Sequence, residues 1–195
     1  MNWLRNMFAC AGLALFGTVA ITGCAEDMDE IDPDLEEGIE AAPPSNPLVW
    51  TGWVSEEDGR LSCPSGRWAR GFECDGSYCD EVRMDCTTLP TGQTLGSSSW
   101  STWFSEEGAN ERLCPDGEWL TGVECKDSYC DKMSIRCTEV RKSSGAPVQH
   151  GPCYTSGSYS EEDGPFLAIP GYVLVGIECL GSFCDDLRFT SCIPL

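Results

Sequence analysis

A ten-residue pattern, G-x-E-C-x-x-S-[YF]-C-D, occurs three times, at Gly71 to Asp80, Gly122 to Asp131 and Gly176 to Asp185. Its return at a spacing of about fifty residues, with glycine, cysteines and aromatic in fixed places, marks an internal repeat. The repeats run over 48–89, 99–140 and 149–195, and the turn-rich stretches Pro90 to Gln93 and Lys142 to Pro147 join them. Each repeat has an opening strand, a Ser-Glu-Glu turn, a Pro/Gly turn and a β-hairpin centred on the motif.

Period-two alternation predicts the strands and their faces. Trp68, Phe72 and Cys74 share one face, as do Trp119, Val123 and Cys125, and Val173, Val175, Ile177 and Cys179. On the return strands Val82, Met84 and Cys86 fall together, as do Met133, Ile135 and Cys137, and then Leu187 and Phe189 before the spacing shifts. In the opening strands Trp50 with Val54, and Trp100 with Phe104, are assigned to the core. Trp53 and Trp103 then fall on a face otherwise made of Thr51, Ser55, Ser101 and Ser105. A large aromatic among hydroxyls suits stacking on a sugar ring, although either indole could instead cover a neighbouring strand. The third repeat has Ser158 at that position.

The chain carries 14 cysteines, a density expected of an oxidising compartment. Apart from Cys10 and Cys24, they divide four to a repeat. If the apolar faces of the hairpin strands coincide, Cys74 and Cys86 lie at opposite ends, beyond the limit of about 7 Å between Cα atoms that a disulfide needs. The preferred pairs are therefore Cys74–Cys79 with Cys63–Cys86, Cys125–Cys130 with Cys114–Cys137, and Cys179–Cys184. In the third repeat Ala168 replaces the first cysteine and Cys153 appears upstream, so Cys153 is paired with Cys192. The C-x4-C spacing and the single His150 argue against structural zinc.

Paired acids follow a serine in each repeat, Glu56-Glu57-Asp58, Glu106-Glu107 and Glu161-Glu162-Asp163, and an aspartate follows each motif's second cysteine. With Trp53 and Trp103, the residues Glu56, Glu57, Glu106 and Glu107 make the candidate ligand set. Calcium is the cofactor this pattern admits, through Glu57 with Asp80, Glu107 with Asp131 and Glu162 with Asp185. A glycosidase-type carboxylate pair is the enzymatic alternative, but a catalytic pair in triplicate has little chemical sense. The bland reading is a Ser-initiated turn capped by its own side chains. A net charge of −20 argues against nucleic acid and anionic lipid surfaces as partners.

Residues 1–23 have the form of an export signal, with Arg5 ahead of an apolar run. The run ends in Ile21-Thr22-Gly23-Cys24, which resembles the bacterial lipobox. The resemblance implies lipid attachment at Cys24 and a mature protein anchored in the cell envelope; Ala25 after the cysteine favours the outer membrane. Residues 24–47 hold acidic side chains and no basic one, followed by a proline-rich end, and read as an extended tether.

In the repeats, W-x-x-W (Trp50–Trp53, Trp100–Trp103), C-P-x-G (Cys63–Gly66, Cys114–Gly117) and the later Gly71 and Gly122 resemble the vitelline membrane outer layer protein I family. That resemblance implies a three-repeat β-prism and binding of amino-sugar oligosaccharides. The chain lacks the family's D-D-T-x-L-N stretch, which weighs against sugar transfer. The dermatopontin family of matrix adhesion proteins is similar at the C-P-x-G turn.

The fold expected for 48–195 is all-β, with three pseudo-repeated, disulfide-rich units, most simply a pseudo-threefold β-prism. A β-trefoil-like fold and three separate disulfide-stapled units are the alternatives. The function expected is that of a lipid-anchored envelope binding protein, carbohydrate-binding or adhesive, with a glycan or a surface or matrix protein as partner. A structural or protein-interaction module without a small ligand is the second reading, and a carboxylate-based glycan-active enzyme the third.

Overall fold

The structure, a computed structural model, describes residues 47–195; the expected signal, Cys24 and almost all of the tether lie outside the described residues. The chain divides into Met1–Ala41 and Ala42–Leu195, and the description below concerns the second unit.

Eleven strands follow in order: β1 (Arg60–Ser62), β2 (Arg67–Asp75), β3 (Glu81–Thr88), β4 (Gln93–Trp100), β5 (Glu111–Leu113), β6 (Glu118–Lys126), β7 (Lys132–Lys142), β8 (His150–Tyr159), β9 (Phe166–Leu167), β10 (Val173–Leu180) and β11 (Asp186–Pro194). They form three antiparallel sheets of orders β1-β6-β7-β4, β5-β10-β11-β8 and β9-β2-β3. The opening segment of the first repeat joins β3 through single bridges, Trp50 to Asp85 and Val54 to Val82. The molecule is all-β, and each sheet repeats one arrangement: short strand, motif strand, return strand, opening strand.

The short strand of each sheet comes from another repeat. β1 of the first repeat pairs with β6 of the second, β5 of the second with β10 of the third, and β9 of the third with β2 of the first. The exchange closes on itself, so the three units are not separate beads. Close approach of the exchanged backbone explains the glycine that opens each motif. A Cβ at Gly71 would lie 2.8 Å from the Phe166 carbonyl oxygen, at Gly122 2.7 Å from that of Leu61, and at Gly176 2.7 Å from that of Arg112.

Six disulfides join Cys63–Cys86, Cys74–Cys79, Cys114–Cys137, Cys125–Cys130, Cys153–Cys192 and Cys179–Cys184. These are the pairs expected from the sequence. Cys74 lies opposite Val82 and Cys86 opposite Ala69, at the two ends of the hairpin. Cys63–Cys86 and Cys114–Cys137 tie an exchanged strand back to its own repeat while its hydrogen bonds go to the next. In the third repeat Ala168 and Ser191 hold the corresponding buried positions, and the Ser191 hydroxyl has no hydrogen-bond partner.

Strict alternation fails at one place in each motif strand. The register shifts between Ala69 and Gly71, Leu120 and Gly122, and Leu174 and Gly176, a bulge at the same position three times. Ala69, Phe72 and Cys74 therefore face the main core, as do Leu120, Val123 and Cys125, and Leu174, Ile177 and Cys179. Trp68, Trp119, Val173 and Val175 are turned into a second apolar cluster with Leu89, Val140, Val148 and Cys192. This corrects the expectation that Trp68 shares the face of Phe72 and Cys74, Trp119 that of Val123 and Cys125, and Val173 and Val175 that of Ile177 and Cys179, because the extra residue reverses the alternation. Trp68 and Trp119 meet there at 5.1 Å between ring centroids, and His150 lies against Trp119 at 4.6 Å. The return strands do alternate as expected, with Val82, Met84, Met133, Ile135, Leu187 and Phe189 in the main core.

Gly122→Ala should destabilise the protein by roughly 1–3 kcal/mol, the usual cost of forcing a methyl group into a filled space. Chemical denaturation of the two proteins measures this, and equal midpoints would mean that the exchanged strand is not held as described. Conversely, Ala168→Cys with Ser191→Cys should form a seventh disulfide and add up to about 3 kcal/mol. Peptide mapping without reduction, followed by a melting curve, checks both the bond and its effect.

Candidate functional site

Three features gather the residues that carry chemistry: the motif loops, the outer faces of the opening segments, and the Ser-Glu-Glu turns. The motif loops are built on left-handed backbone. Tyr78 and Cys79 have φ of 60° and 56°, Tyr129 and Cys130 of 61° and 53°, and Phe183 and Cys184 of 61° and 55°. Non-glycine residues meet a steric penalty in that region and persist there only where surroundings fix them. Here the Cys-x4-Cys disulfide closes each loop. The loops also contact one another in a ring: the sulfur of Cys79 lies 3.2 Å from the Asp185 carbonyl oxygen, that of Cys130 3.3 Å from Asp80's, and that of Cys184 3.4 Å from Asp131's. The Phe183 amide donates to Glu106 Oε1 at 3.0 Å, so the second repeat's turn grips the third repeat's loop.

The result is an aromatic cap. Tyr78, Tyr129 and Phe183 meet edge-on, with centroids 5.4, 5.6 and 5.8 Å apart. Each of the three residues keeps 41–42% of its surface exposed. The sequence pattern predicts these rings on a rigid loop, packed into a neighbour or offered to a partner; the structure has them packed on each other and open to solvent.

Carboxylates lie close to the motif loops. Burial and then the charges of Glu56 and Asp75 push the Asp80 carboxyl above its ordinary range. Burial and then Glu106 and Glu107 do the same for Asp131, and burial and then Asp186 for Asp185. The turn and the Cys-Asp position of each repeat thus converge. Lys132 answers part of this charge: it binds Asp127 at 2.7 Å, and that hydrogen bond holds the Asp127 carboxyl below its ordinary range. Among the described residues no group of three His, Cys, Asp or Glu is placed to hold a metal ion.

The turns themselves are self-capped. Ser55 Oγ donates to Asp58 Oδ2 at 3.2 Å and accepts from the Glu57 amide at 3.3 Å; Ser160, Asp163 and Glu162 repeat these contacts. Gly108 stands where the second turn would have its aspartate. Glu57, Glu107 and Glu162 point to solvent, and Glu56 and Glu106 are half-buried.

The opening segments depart from the expected faces. Between the bridges at Trp50 and Val54, three residues on one side oppose two on the other, and Phe104 bridging Met133 below Trp100 gives the same count. This second bulge turns Trp50 to the outer face, where Arg83 lies between it and Trp53, 4.8 and 4.2 Å from their centroids. Trp100 is likewise half-buried beneath Arg60 at 4.9 Å, so neither Trp50 nor Trp100 belongs to the core. Trp53 is half-buried; Trp103 is 37% exposed, with Lys126 at 5.5 Å from its ring and Arg112 donating to its carbonyl. The bulge leaves a return-strand amide without a ladder partner, and a hydroxyl supplies it each time. Met84 N donates to Thr51 Oγ1, Ile135 N to Ser101 Oγ and Phe189 N to Ser156 Oγ, at 3.0, 3.1 and 3.0 Å. Sequence reasoning missed these residues, although a hydroxyl at that place in every repeat was the available signal.

No protein-family model, curated protein or solved structure matches the chain.

The raised Asp131 carboxyl gives a pH test. A folded value above the ordinary 3.8 means that its contribution is fully present below that pH and is lost as pH rises through the folded value. Asp131→Asn should therefore melt a few degrees higher than the parent at neutral pH and at the same temperature near pH 3. An equal or lower neutral-pH melting temperature would show that the carboxylate stabilises the loop.

Proposed function

We propose that the chain is an exported, lipid-anchored binding protein of the cell envelope. Its all-β head, arranged as a pseudo-threefold β-prism, recognises carbohydrate through an outer sheet face and has no catalytic role. The observation that carries this reading is Trp103, an indole 37% exposed on the bulged segment that follows β4. Thr102 and Arg112 lie beside it, joined by hydrogen bonds of 3.0 and 3.2 Å from the guanidinium. An aromatic plane next to fixed polar groups fits the apolar face and hydroxyl rim of a sugar. Six disulfides fit an oxidising compartment. The lipobox-like Ile21-Thr22-Gly23-Cys24 supports the anchor, and three related sheets suit the resemblance to the vitelline membrane family.

Trp53 is the weaker half of the candidate set, since it is half-buried and Arg83 lies 4.2 Å from its ring centroid, closer than Lys126 at 5.5 Å from that of Trp103. That observation favours the second reading, a protein-interaction module without a small ligand, for the first repeat's face. The carboxylates Glu57, Glu107 and Glu162 lie free in the turns and are not needed for sugar stacking.

A glycan array separates the readings. Trp103→Ala should lose about two- to tenfold in sugar affinity, the order expected when a stacked aromatic is removed. Trp53→Ala should lose less binding and instead lower stability. No glycan binding by the parent, with or without calcium, would remove the carbohydrate reading and leave the interaction module.

A further inference from the structure

We propose that the aromatic cap of Tyr78, Tyr129 and Phe183, with the carboxylates around it, is a docking site for an arginine- or lysine-rich segment of a partner protein. This is a different set of rings from Trp103, and a different ligand class from the carbohydrate proposed above.

The chain supplies its own precedent. Wherever an indole lies partly open on a sheet face, a cation of the same chain stands over it. Arg83 lies against Trp50 and Trp53 while paired with Glu73, and Arg60 lies over Trp100 while 3.1 Å from Glu124. Lys126 stands over Trp103. The cap has the same two ingredients, exposed rings and a carboxylate against the loop that bears them, Glu106 Oε1 lying 3.0 Å from the Phe183 amide. Yet among the described residues no lysine or arginine lies over Tyr78, Tyr129 or Phe183. Lys132, whose charge reaches Asp131, is held by Asp127.

The sign of the surroundings selects the occupant. Glu56 and Asp75 act on Asp80, Glu106 and Glu107 on Asp131, and Asp186 and Glu161 on Asp185. A second copy of the chain would bring the same negative rim against this one, and like-charge juxtaposition costs several kT. Nucleic acid and anionic lipid meet the same repulsion. A guanidinium or ammonium gains twice, from the negative ring faces and from the negative charge of the motif loops. Because all three repeats contribute a ring and an aspartate, the site suits several positive charges on one segment better than a lone amine. The loops are fixed by disulfides and mutual contacts, so little ordering is required on binding.

The test uses the full chain with disulfides intact and fluorescein-labelled hexa-arginine, read by fluorescence anisotropy near physiological salt. Wild type should bind saturably. Tyr78→Leu/Tyr129→Leu/Phe183→Leu removes the rings and keeps every charge, and it should bind at least about tenfold more weakly. Asp80→Asn/Asp131→Asn/Asp185→Asn should lose a similar factor. Glu30→Gln/Glu36→Gln/Glu37→Gln removes the same number of charges from the acidic stretch that precedes the repeats in the sequence, and should stay within about twofold of wild type if the cap rather than net charge carries the binding. Wild-type affinity in the leucine variant, or an equal loss in the N-terminal variant, would reduce the effect to net charge and overturn the proposal. Absence of saturable binding by wild type would do the same. Should the leucine variant fail to fold, peptide titration into the wild-type protein followed by NMR decides the matter. Ring resonances of Tyr78, Tyr129 and Phe183 should shift, and shifts confined to other residues would overturn it. The glycan array reads Trp103 independently, so failure of one proposal leaves the other standing.

Discussion

The close approach of one backbone to another over a glycine holds this molecule together. At Gly71, Gly122 and Gly176 a strand from a different repeat lies so near the motif strand that a single methyl group would collide with its carbonyl oxygen. Because each repeat gives its short strand to the next and receives one in turn, no unit can be completed until all are present. β9 pairs with β2 across the whole of the second repeat, Gly71 opposite Leu167, so closure is a long-range event whose loop entropy has to be met. Two of the disulfides oppose the obvious failure, a short strand leaving its foreign sheet. Cys63–Cys86 and Cys114–Cys137 keep β1 and β5 anchored to their own repeats even when their hydrogen bonds open.

The third repeat resolves the same problem differently. Its short strand, β9, is followed directly by Ala168 and has no covalent clip, since Ala168 and Ser191 stand where a cysteine pair would be. Aromatic packing takes over: Phe166 stacks on Phe189 at 4.6 Å, Tyr159 meets Phe166 at 5.1 Å, and Phe72 of the receiving strand meets Phe189 at 5.2 Å. The displaced disulfide, Cys153–Cys192, ties the opening strand to the return strand instead. At the other end of the described chain, buried Asp85 binds Arg70 at 2.6 Å and accepts the Val49 amide, pinning the first opening segment where a full ladder is missing.

Much of this was legible in the sequence, for a physical reason. Repeats, strand class and cysteine pairing depend on which residues lie near one another along the chain, and a hairpin brings neighbours in sequence together. Cys74 and Cys86 could be separated by counting along two strands. The exchange could not be read, because pairing β1 with β6 rather than β2 leaves no local trace beyond a glycine, and a bend in the strand would call for the same residue. The bulges were hidden for a related reason: one extra residue at Arg70 or between Trp50 and Val54 leaves the composition unchanged and reverses every assignment beyond it. Trp68 and Trp50 were both misplaced in this way. The three-ring cap was half legible. An aromatic before the second cysteine of every motif was plain, but that the three rings meet follows only from the closed ring of repeats.

That dependence separates the two proposed recognition surfaces. An indole such as Trp103 rests on its own opening segment and on Arg112 of the neighbouring sheet, and the third repeat has Ser158 in its place. The cap cannot be divided so. Each ring touches the other two, each motif disulfide lies against the loop of another repeat, and Glu106 of the second repeat holds the Phe183 amide of the third. Phe183 lacks the hydroxyl of Tyr78 and Tyr129 but keeps the ring, and the ring makes these contacts. A surface repeated on separate sheets can vary from one to the next. One assembled at their junction has to be present in all three or be lost, and it remains rigid because every loop that forms it is also part of what closes the fold.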